Sequence, residues 1–335
     1  VASSWVVLHV TERCALGCRH CLRDPSAAPA DLDPAVVDRV LEQAKRLYRI
    51  GHVGLTGGEP LLHPHLDAVV DAAIRHGLTW HVVTSGRDFG RLLALVPPGS
   101  PRRDALTAVD LSVDGAREAT HDAIRGAGSW RDAMAAAAAL QARAIPFSVQ
   151  MTVNALNAAE IEEVGLAATQ LGAARVFFSM TQATGTDEDP RLALPAAGWR
   201  AVADRVARLA EALRIPVVAA EGFPREQPLH VCEPWRGELL HVDPRGRLTL
   251  CCQHSGVPGA EGVAVDLATT GLVEAHRRVL AVAQRLQRER LDAIERGGLG
   301  EWELFPCNAC LASLGHPHWT ERGSAGPRAR RLARG

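Results

Sequence analysis

The chain has 335 residues, 47% hydrophobic and 22% charged, with a formal net charge of −1. That length holds one large α/β domain and a smaller appendage, and the near-neutral balance disfavours nucleic acid or an anionic membrane surface as the main partner. No apolar run approaches the ~20 residues needed to span a bilayer. Eight cysteines without a signal peptide point to a reducing cytoplasm, where clustered thiols serve as metal ligands or catalysts and not as bridges. Lys45 is the sole lysine, and arginine and alanine abound, a bias from which no function follows.

The first element is an apolar strand over 5–11, and it runs directly into a loop with Cys14, Cys18 and Cys21 spaced C-x3-C-x2-C. Asp33 followed by Pro34 is an N-cap with proline at the first helical position, opening a helix expected to stop at Gly51. A strand over 52–56 then delivers Gly57, Gly58, Glu59 and Pro60. The pattern continues as helix 65–76, strand 79–84, helix 89–96, strand 108–113, helix 130–143, strand 146–153, helix 158–171 and strand 175–179. Six strands alternating with helices predict parallel βα units with right-handed crossovers, whose functional residues gather at the C-terminal strand ends.

Three clustered thiols could hold a zinc ion with His20 or His9 as fourth ligand, or belong to a disulfide framework. They also supply three of the four cysteines that a saturated 4Fe–4S cluster takes, which leaves one iron open. Together with Gly57–Pro60 behind the second strand, the triad resembles the signature of the radical S-adenosylmethionine (radical SAM) superfamily. The resemblance implies a partial (β/α)6 barrel over 1–185. It also implies a cluster on Cys14, Cys18 and Cys21 whose open iron holds the amino and carboxylate groups of S-adenosylmethionine, while the glycine-rich strand end binds that amino group. Cleavage of the bound molecule yields a 5′-deoxyadenosyl radical that abstracts hydrogen from a substrate. In such enzymes His20 would contact adenine. Ser85, Ser112 and Asp114 at the ends of strands three and four would meet ribose or carboxylate. Arg125 would pair with the methionine carboxylate, a task suited to a planar bidentate donor, and Gln150 and Asn154 would reach the ribose hydroxyls.

After Gly185 come an acidic turn, Asp187–Glu188–Asp189–Pro190, a helix over 199–213 and a strand over 215–220, a linking segment expected at 186–225. Cys232, Gly246 and Cys251 then fit C-x(9–15)-G-x4-C, and Cys307 and Cys310 form a C-x2-C pair. This resembles the SPASM/twitch extension of radical SAM enzymes, expected at 226–318, with a hairpin of strands 239–242 and 247–250. With two cysteines after the hairpin, the shorter twitch type is implied, carrying one auxiliary 4Fe–4S cluster on Cys232, Cys251, Cys307 and Cys310. A structural zinc on the same four cysteines is the alternative. Cys252 adjoins Cys251, and either could be the ligand, although the glycine spacing favours Cys251. Arg322, Arg328, Arg330, Arg331 and Arg334 lie in a tail expected at 319–335 to be disordered and basic.

The function these features predict is radical chemistry on a natural-product intermediate, fed by an external one-electron reductant of flavodoxin or ferredoxin type. A sugar- or aminocyclitol-type small molecule is favoured, since the first barrel strand begins within five residues and leaves no leader-binding domain before it. Asp187, Glu188, Asp189, Glu221 and Glu233 could face such a cationic substrate. Modification of a ribosomally synthesised peptide is the alternative, and a non-catalytic electron carrier or a zinc-stabilised regulator are readings of other classes. Cys252 is expected to be spare, and a thiol S–H bond is weak enough to return hydrogen to a substrate radical. That would make the product an epimer, against oxidation if the electron leaves through the auxiliary cluster.

Overall fold

The computed structural model describes residues 5–23, 28–182, 189–229, 232–254 and 263–313. Asp187, Glu188 and the tail at 319–335 lie outside the described residues. Ten strands form one sheet in the order β10-β9-β8-β1-β2-β3-β4-β5-β6-β7. Its centre is the parallel run of β1 (Trp5–Thr11), β2 (His52–Gly57), β3 (Thr79–Thr84), β4 (Leu106–Ser112), β5 (Phe147–Val153) and β6 (Arg175–Met180). These are the six strands expected of the partial barrel, in sequence order. The sheet does not close, because β7 (Val217–Ala219) and β10 (Val265–Asp266) end it.

Strands β1, β3 and β6 bury alternate residues. In β1, Val6, Leu8 and Val10 are fully buried, while His9 on the other face borders the barrel interior. The covering helices are amphipathic: α1 (Pro34–Tyr48) buries Val36, Val37, Val40, Leu41 and Ala44, and α2 (Leu66–Arg75) buries Leu66, Val69, Val70, Ala72 and Ala73. Truncating such a leucine to alanine costs about 2–5 kcal/mol. Asp33 caps α1 as expected, its carboxylate accepting from the Ala35 N–H at 2.8 Å. The helix stops earlier than expected, with Arg49 in the left-handed region (φ 55°), so Gly51 begins the next segment and is not the cap.

Three features were not read from the sequence. Helix α5 (Glu118–Arg125) carries Arg125 at its C-terminus, so that side chain is held by a helix and not a loop. The 24-residue α10 (Leu272–Glu295) packs Leu272, Ala275, Val279, Ala283 and Leu286 inward, and its His276 Nδ1 lies 3.0 Å from the Tyr48 hydroxyl of α1. The third is a strand pairing: β8 (Leu239–Val242) lies parallel to β1, with Trp5 opposite Leu239 and Leu8 opposite Val242. The expected hairpin of β8 and β9 (Arg247–Thr249) therefore extends the barrel sheet itself. Its turn is set by Gly246 (φ 74°) and by Asp243, whose carboxylate accepts from the Arg245 and Arg247 N–H groups.

Candidate functional site

The loop after β1 is zipped to the loop after β2. Gly58 N–H donates to the Thr11 carbonyl and Glu59 N–H to the Arg13 carbonyl, both at 2.7 Å. A Cβ on Gly58 would lie 2.4 Å from the Arg13 oxygen, and one on Gly57 (φ 150°) 2.5 Å from the Thr11 oxygen. Only glycine permits this approach. On the other side, Arg19 N–H donates to the Ile124 carbonyl of α5 at 2.9 Å. Cys14, Cys18 and Cys21 thereby border one cavity of about 560 Å³, with no disulfide among them. Leu16 N–H points at Cys14 Sγ at 3.4 Å, the kind of donor that stabilises a metal-bound thiolate. Burial pushes the Cys18 thiol up to about 11, so loading a metal there must displace its proton. Among the described residues no three His, Cys, Asp or Glu converge on one point, whereas a cluster takes each thiolate on a separate iron. The donor set fits a cluster.

His20, Gly57, Gly58, Ser85, Ser112, Arg125 and Gln150 line the same cavity. Four other residues named from the sequence do not border it. Glu59 is buried and clamps strand ends: it accepts from Thr84 Oγ1 at 2.8 Å, from Ser85 N–H at 2.9 Å and from Ser85 Oγ at 2.6 Å. Burial raises its carboxyl above the usual range, the serine and threonine donors offsetting part of that. Pro60 opens the short 3-10 turn that follows. Asn154 closes the turn after β5, its Oδ1 accepting from Leu156 N–H at 2.9 Å. Asp114, fully buried, accepts from Arg125 Nε at 2.6 Å and Thr152 N–H at 2.7 Å, with His20 Nε2 at 3.5 Å. Burial opposes its ionisation, but the Arg125 guanidinium and the Thr152 donor outweigh it and hold the carboxylate below its ordinary value. Asp114 thus orients two residues of the cavity wall without reaching the cavity. Arg125 is left with Nη1 4.0 Å from Cys18 Sγ. Burial lowers His20 to about 4, so its ring is neutral, and its buried Nδ1 has no hydrogen-bond partner.

The second cysteine set comes together as well. Cys232, Cys251, Cys307 and Cys310 line one small cavity of about 40 Å³, walled by Trp235, Leu250 and Leu311. Burial raises the thiols of Cys232, Cys307 and Cys310, that of Cys232 to about 11. Cys252 borders the large cavity and not the small one, while its thiol is hydrogen-bonded to that of Cys251. Four sulfurs around a small apolar pocket suit a fully ligated cluster.

Several lining residues carried no motif. Thr152 and Ser179 extend β5 and β6 to the cavity floor, and their position at C-terminal strand ends was a usable signal. Arg245, from the hairpin turn, ion-pairs with Glu12 at 2.5 Å, and Arg247 is held by Asp243 at 2.7 Å. His254 borders both cavities. Of the carboxylates named for a cationic substrate, Asp189 is bound by Arg19 and Arg191, Glu221 by Arg225, and neither these nor Glu233 lines the cavity.

Residues 8–166 match the family described as the Radical SAM superfamily. A PqqA peptide cyclase of Gluconobacter oxydans is 31% identical over 255 residues, covering 73% of this chain and 69% of that protein. A PqqA peptide cyclase of Xanthomonas campestris pv. campestris is 30% identical over 271 residues, covering 76% and 69%. The likeness therefore runs on past the matched segment, and the chain spans about two thirds of these relatives' length. Among solved structures, Streptococcus suis SuiB bound to S-adenosylmethionine superposes with a TM-score of 0.72 at 13% identity, covering 93% of this chain and 74% of that one. SuiB bound to precursor peptide SuiA gives 0.68 at 12% identity, covering 84% and 66%.

Proposed function

The chain belongs to the radical S-adenosylmethionine superfamily, and on that premise we propose that it modifies a ribosomally synthesised peptide. Enzymes of this family use S-adenosylmethionine with a 4Fe–4S cluster, and SPASM-type members carry auxiliary clusters. Cys14, Cys18 and Cys21 would hold the first cluster, and Cys232, Cys251, Cys307 and Cys310 the auxiliary one. When bound, the first cluster supplies one electron to the sulfonium, and the adenosyl radical released takes a hydrogen atom from the substrate. Gly57 and Gly58 keep the strand end open for the amino group. Arg125, its Nε fixed on Asp114, offers its terminal nitrogens to the carboxylate. His20, Ser85, Ser112 and Gln150 line the space for adenine and ribose.

The observation that carries the peptide reading is the charge of the cavity. Among its described lining residues Arg125, Arg245 and Arg247 are paired with Asp114, Glu12 and Asp243, which leaves Arg23 and takes up Glu12. A protonated aminocyclitol finds no spare carboxylate among these described residues, so the cationic carbohydrate-type expectation gives way to its alternative. The relatives named peptide cyclases agree with this. The test is anaerobic reconstitution with S-adenosylmethionine and dithionite. We expect 5′-deoxyadenosine, formed faster with a precursor peptide encoded beside the gene and not with aminoglycosides or nucleotides. Absence of deoxyadenosine would sink every enzymatic reading and leave the electron carrier.

Cys252 separates two fates of the substrate radical. Facing the cavity, it is placed to give its hydrogen atom to the carbon radical, breaking S–H and forming C–H. One electron and one proton, delivered through the external reductant, then restore the thiol. The product is an epimer. In the second reading, favoured by the cyclase relatives, the substrate gains a new bond and loses two hydrogens. One leaves as an atom to the adenosyl radical and one as a proton, whose electron would leave through the auxiliary cluster to an external one-electron acceptor. Cys252→Ala in deuterium oxide distinguishes them. Epimerisation requires solvent deuterium at one carbon and a mutant that stalls after abstraction; normal turnover without label leaves cyclisation.

A further inference from the structure

Between the two cavities stands a short 3-10 turn, Cys252–His254, immediately after Cys251. Cys251 lines the small cavity, Cys252 the large one, and His254 borders both. His254 is buried, with 2% of its surface exposed. Its two ring nitrogens face two sulfurs of the second set, Nδ1 at 3.5 Å from Cys251 Sγ and Nε2 at 3.9 Å from Cys310 Sγ. Those two cysteines lie 59 positions apart in sequence, yet one imidazole spans them. A neutral imidazole carries one N–H, so it donates to one of these two sulfurs and presents the bare ring nitrogen to the other. Beside a buried thiol it satisfies a ring nitrogen that burial would otherwise leave unpaired.

We propose that His254 is the N–H···S donor that raises the reduction potential of the auxiliary cluster and faces that cluster toward the substrate cavity. The inference rests on the assignment of Cys232, Cys251, Cys307 and Cys310 as the auxiliary ligands. The physical reason is charge: reducing a thiolate-bound cluster adds negative charge to its sulfurs, and a donor aimed at them stabilises the reduced form more than the oxidised one. Hydrogen bonds to the sulfurs are among the factors that set such potentials. The apolar walls of the pocket and the burial of His254 sharpen the effect, since a hydrogen bond is stronger where the local dielectric is low. Because the same ring forms part of the large cavity's wall, a substrate seated there touches the donor and so acts on the cluster's potential. His254 is a positioning residue in this account. It orders sulfur electrostatics and makes no bond to the reacting carbon.

The experiment is a potentiometric titration of the reconstituted holoenzyme followed by electron paramagnetic resonance, in wild type, His254→Leu and His254→Asn. Iron is counted first. Wild type and both variants should keep about eight iron atoms, as two 4Fe–4S clusters require. In His254→Leu the auxiliary midpoint should fall, while the midpoint of the Cys14–Cys18–Cys21 cluster stays where it is and serves as internal control. His254→Asn, which keeps an N–H donor, should recover most of the shift. An unchanged auxiliary midpoint in the leucine variant overturns the inference. Loss of about half the iron in that variant also overturns it, because His254 would then be a ligand. A wild-type protein with four irons fails earlier and differently: the auxiliary assignment itself falls, and this inference with it.

Discussion

The two cysteine sets are built on opposite plans. The first three thiols sit on a loop at the rim of a cavity of about 560 Å³, among arginines, hydroxyls and bare glycine backbone. The second four surround about 40 Å³ of apolar space between a hairpin and a C-terminal helix, α11 (Pro306–Ser313). A site with three sulfurs and a large forecourt of mixed polarity is made to exchange small molecules. One with four sulfurs and almost no room is made to hold what it has. The lesson is that ligand count and surrounding volume agree, and together they distinguish a reactive centre from a supporting one more firmly than either alone.

The comparison breaks most visibly at the thiols. Replacing any of Cys14, Cys18 or Cys21 with Ala should abolish 5′-deoxyadenosine formation and leave about half the iron, the half that the second set binds. Replacing Cys232, Cys251, Cys307 or Cys310 should remove the other half and the product, while slow abortive cleavage persists. Equal effects on cleavage from both sets would erase the distinction. Next comes Gly58→Ala, whose Cβ meets a backbone oxygen at 2.4 Å and has no flexible side chain to displace. The loop must unzip from Thr11 and Arg13. We expect the first cluster's iron to be lost and the second retained, as read by iron content and circular dichroism in the visible range.

A smaller effect is expected from Arg125→Lys, which keeps the charge but loses the fork that binds Asp114 and leaves donors over. The KM for S-adenosylmethionine should rise about tenfold, roughly 1.4 kcal/mol, with iron content unchanged. The smallest effect belongs to neither set, which makes it a control. At the opposite end of the strands His52 Nε2 lies 2.6 Å from His81 Nδ1, the rings stacked at 4.9 Å. Burial, then His81, lowers His52 to about 4, and burial lowers His81 despite Asp110. An unfolded histidine takes its proton near ~6.5. The folded pair resists protonation, so its contribution is complete above about 6.5 and is lost as pH falls toward about 4. Melting temperature should drop between pH 7 and 5, and His52→Gln should flatten that slope. A slope untouched by the substitution would place the acid sensitivity at other buried histidines, such as His121 and His241.

How much of this was legible in the sequence depends on range. The C-x3-C-x2-C loop, Gly57–Gly58 and the alternation of strands and helices are local patterns, and the barrel follows from them. Cys251 and Cys252 are adjacent, and that each lines a different cavity came only with the 3-10 turn that begins at Cys252. Asp114, Glu59 and Asn154 were read as cofactor contacts because they stand at strand ends. Strand ends also need buried acceptors to tie loops together, and composition does not tell the two uses apart. The apolar stripe of α10 was readable at 272, 275, 279, 283 and 286, but its many arginines obscured it. The neighbourhood of β8 and β1 could not be read at all, since strand pairing across more than two hundred residues leaves no local mark.

That pairing has a mechanical consequence. The strand leading to the Cys14 loop and the hairpin leading to Cys251 and Cys252 are adjacent rungs of one hydrogen-bonded ladder, in register from Trp5–Leu239 to Leu8–Val242. Strands so joined lie about 4.8 Å apart and cannot slide without exchanging every backbone bond. The chain therefore carries a fixed gauge between its two sulfur-bearing ends, set by main chain and indifferent to the length of the connecting segment. Lengthening the linker at 220–229 would leave that gauge unchanged, whereas a one-residue slip of β8 would turn Leu240 and Val242 out of the core and carry Cys251 and Cys252 away from their cavities together.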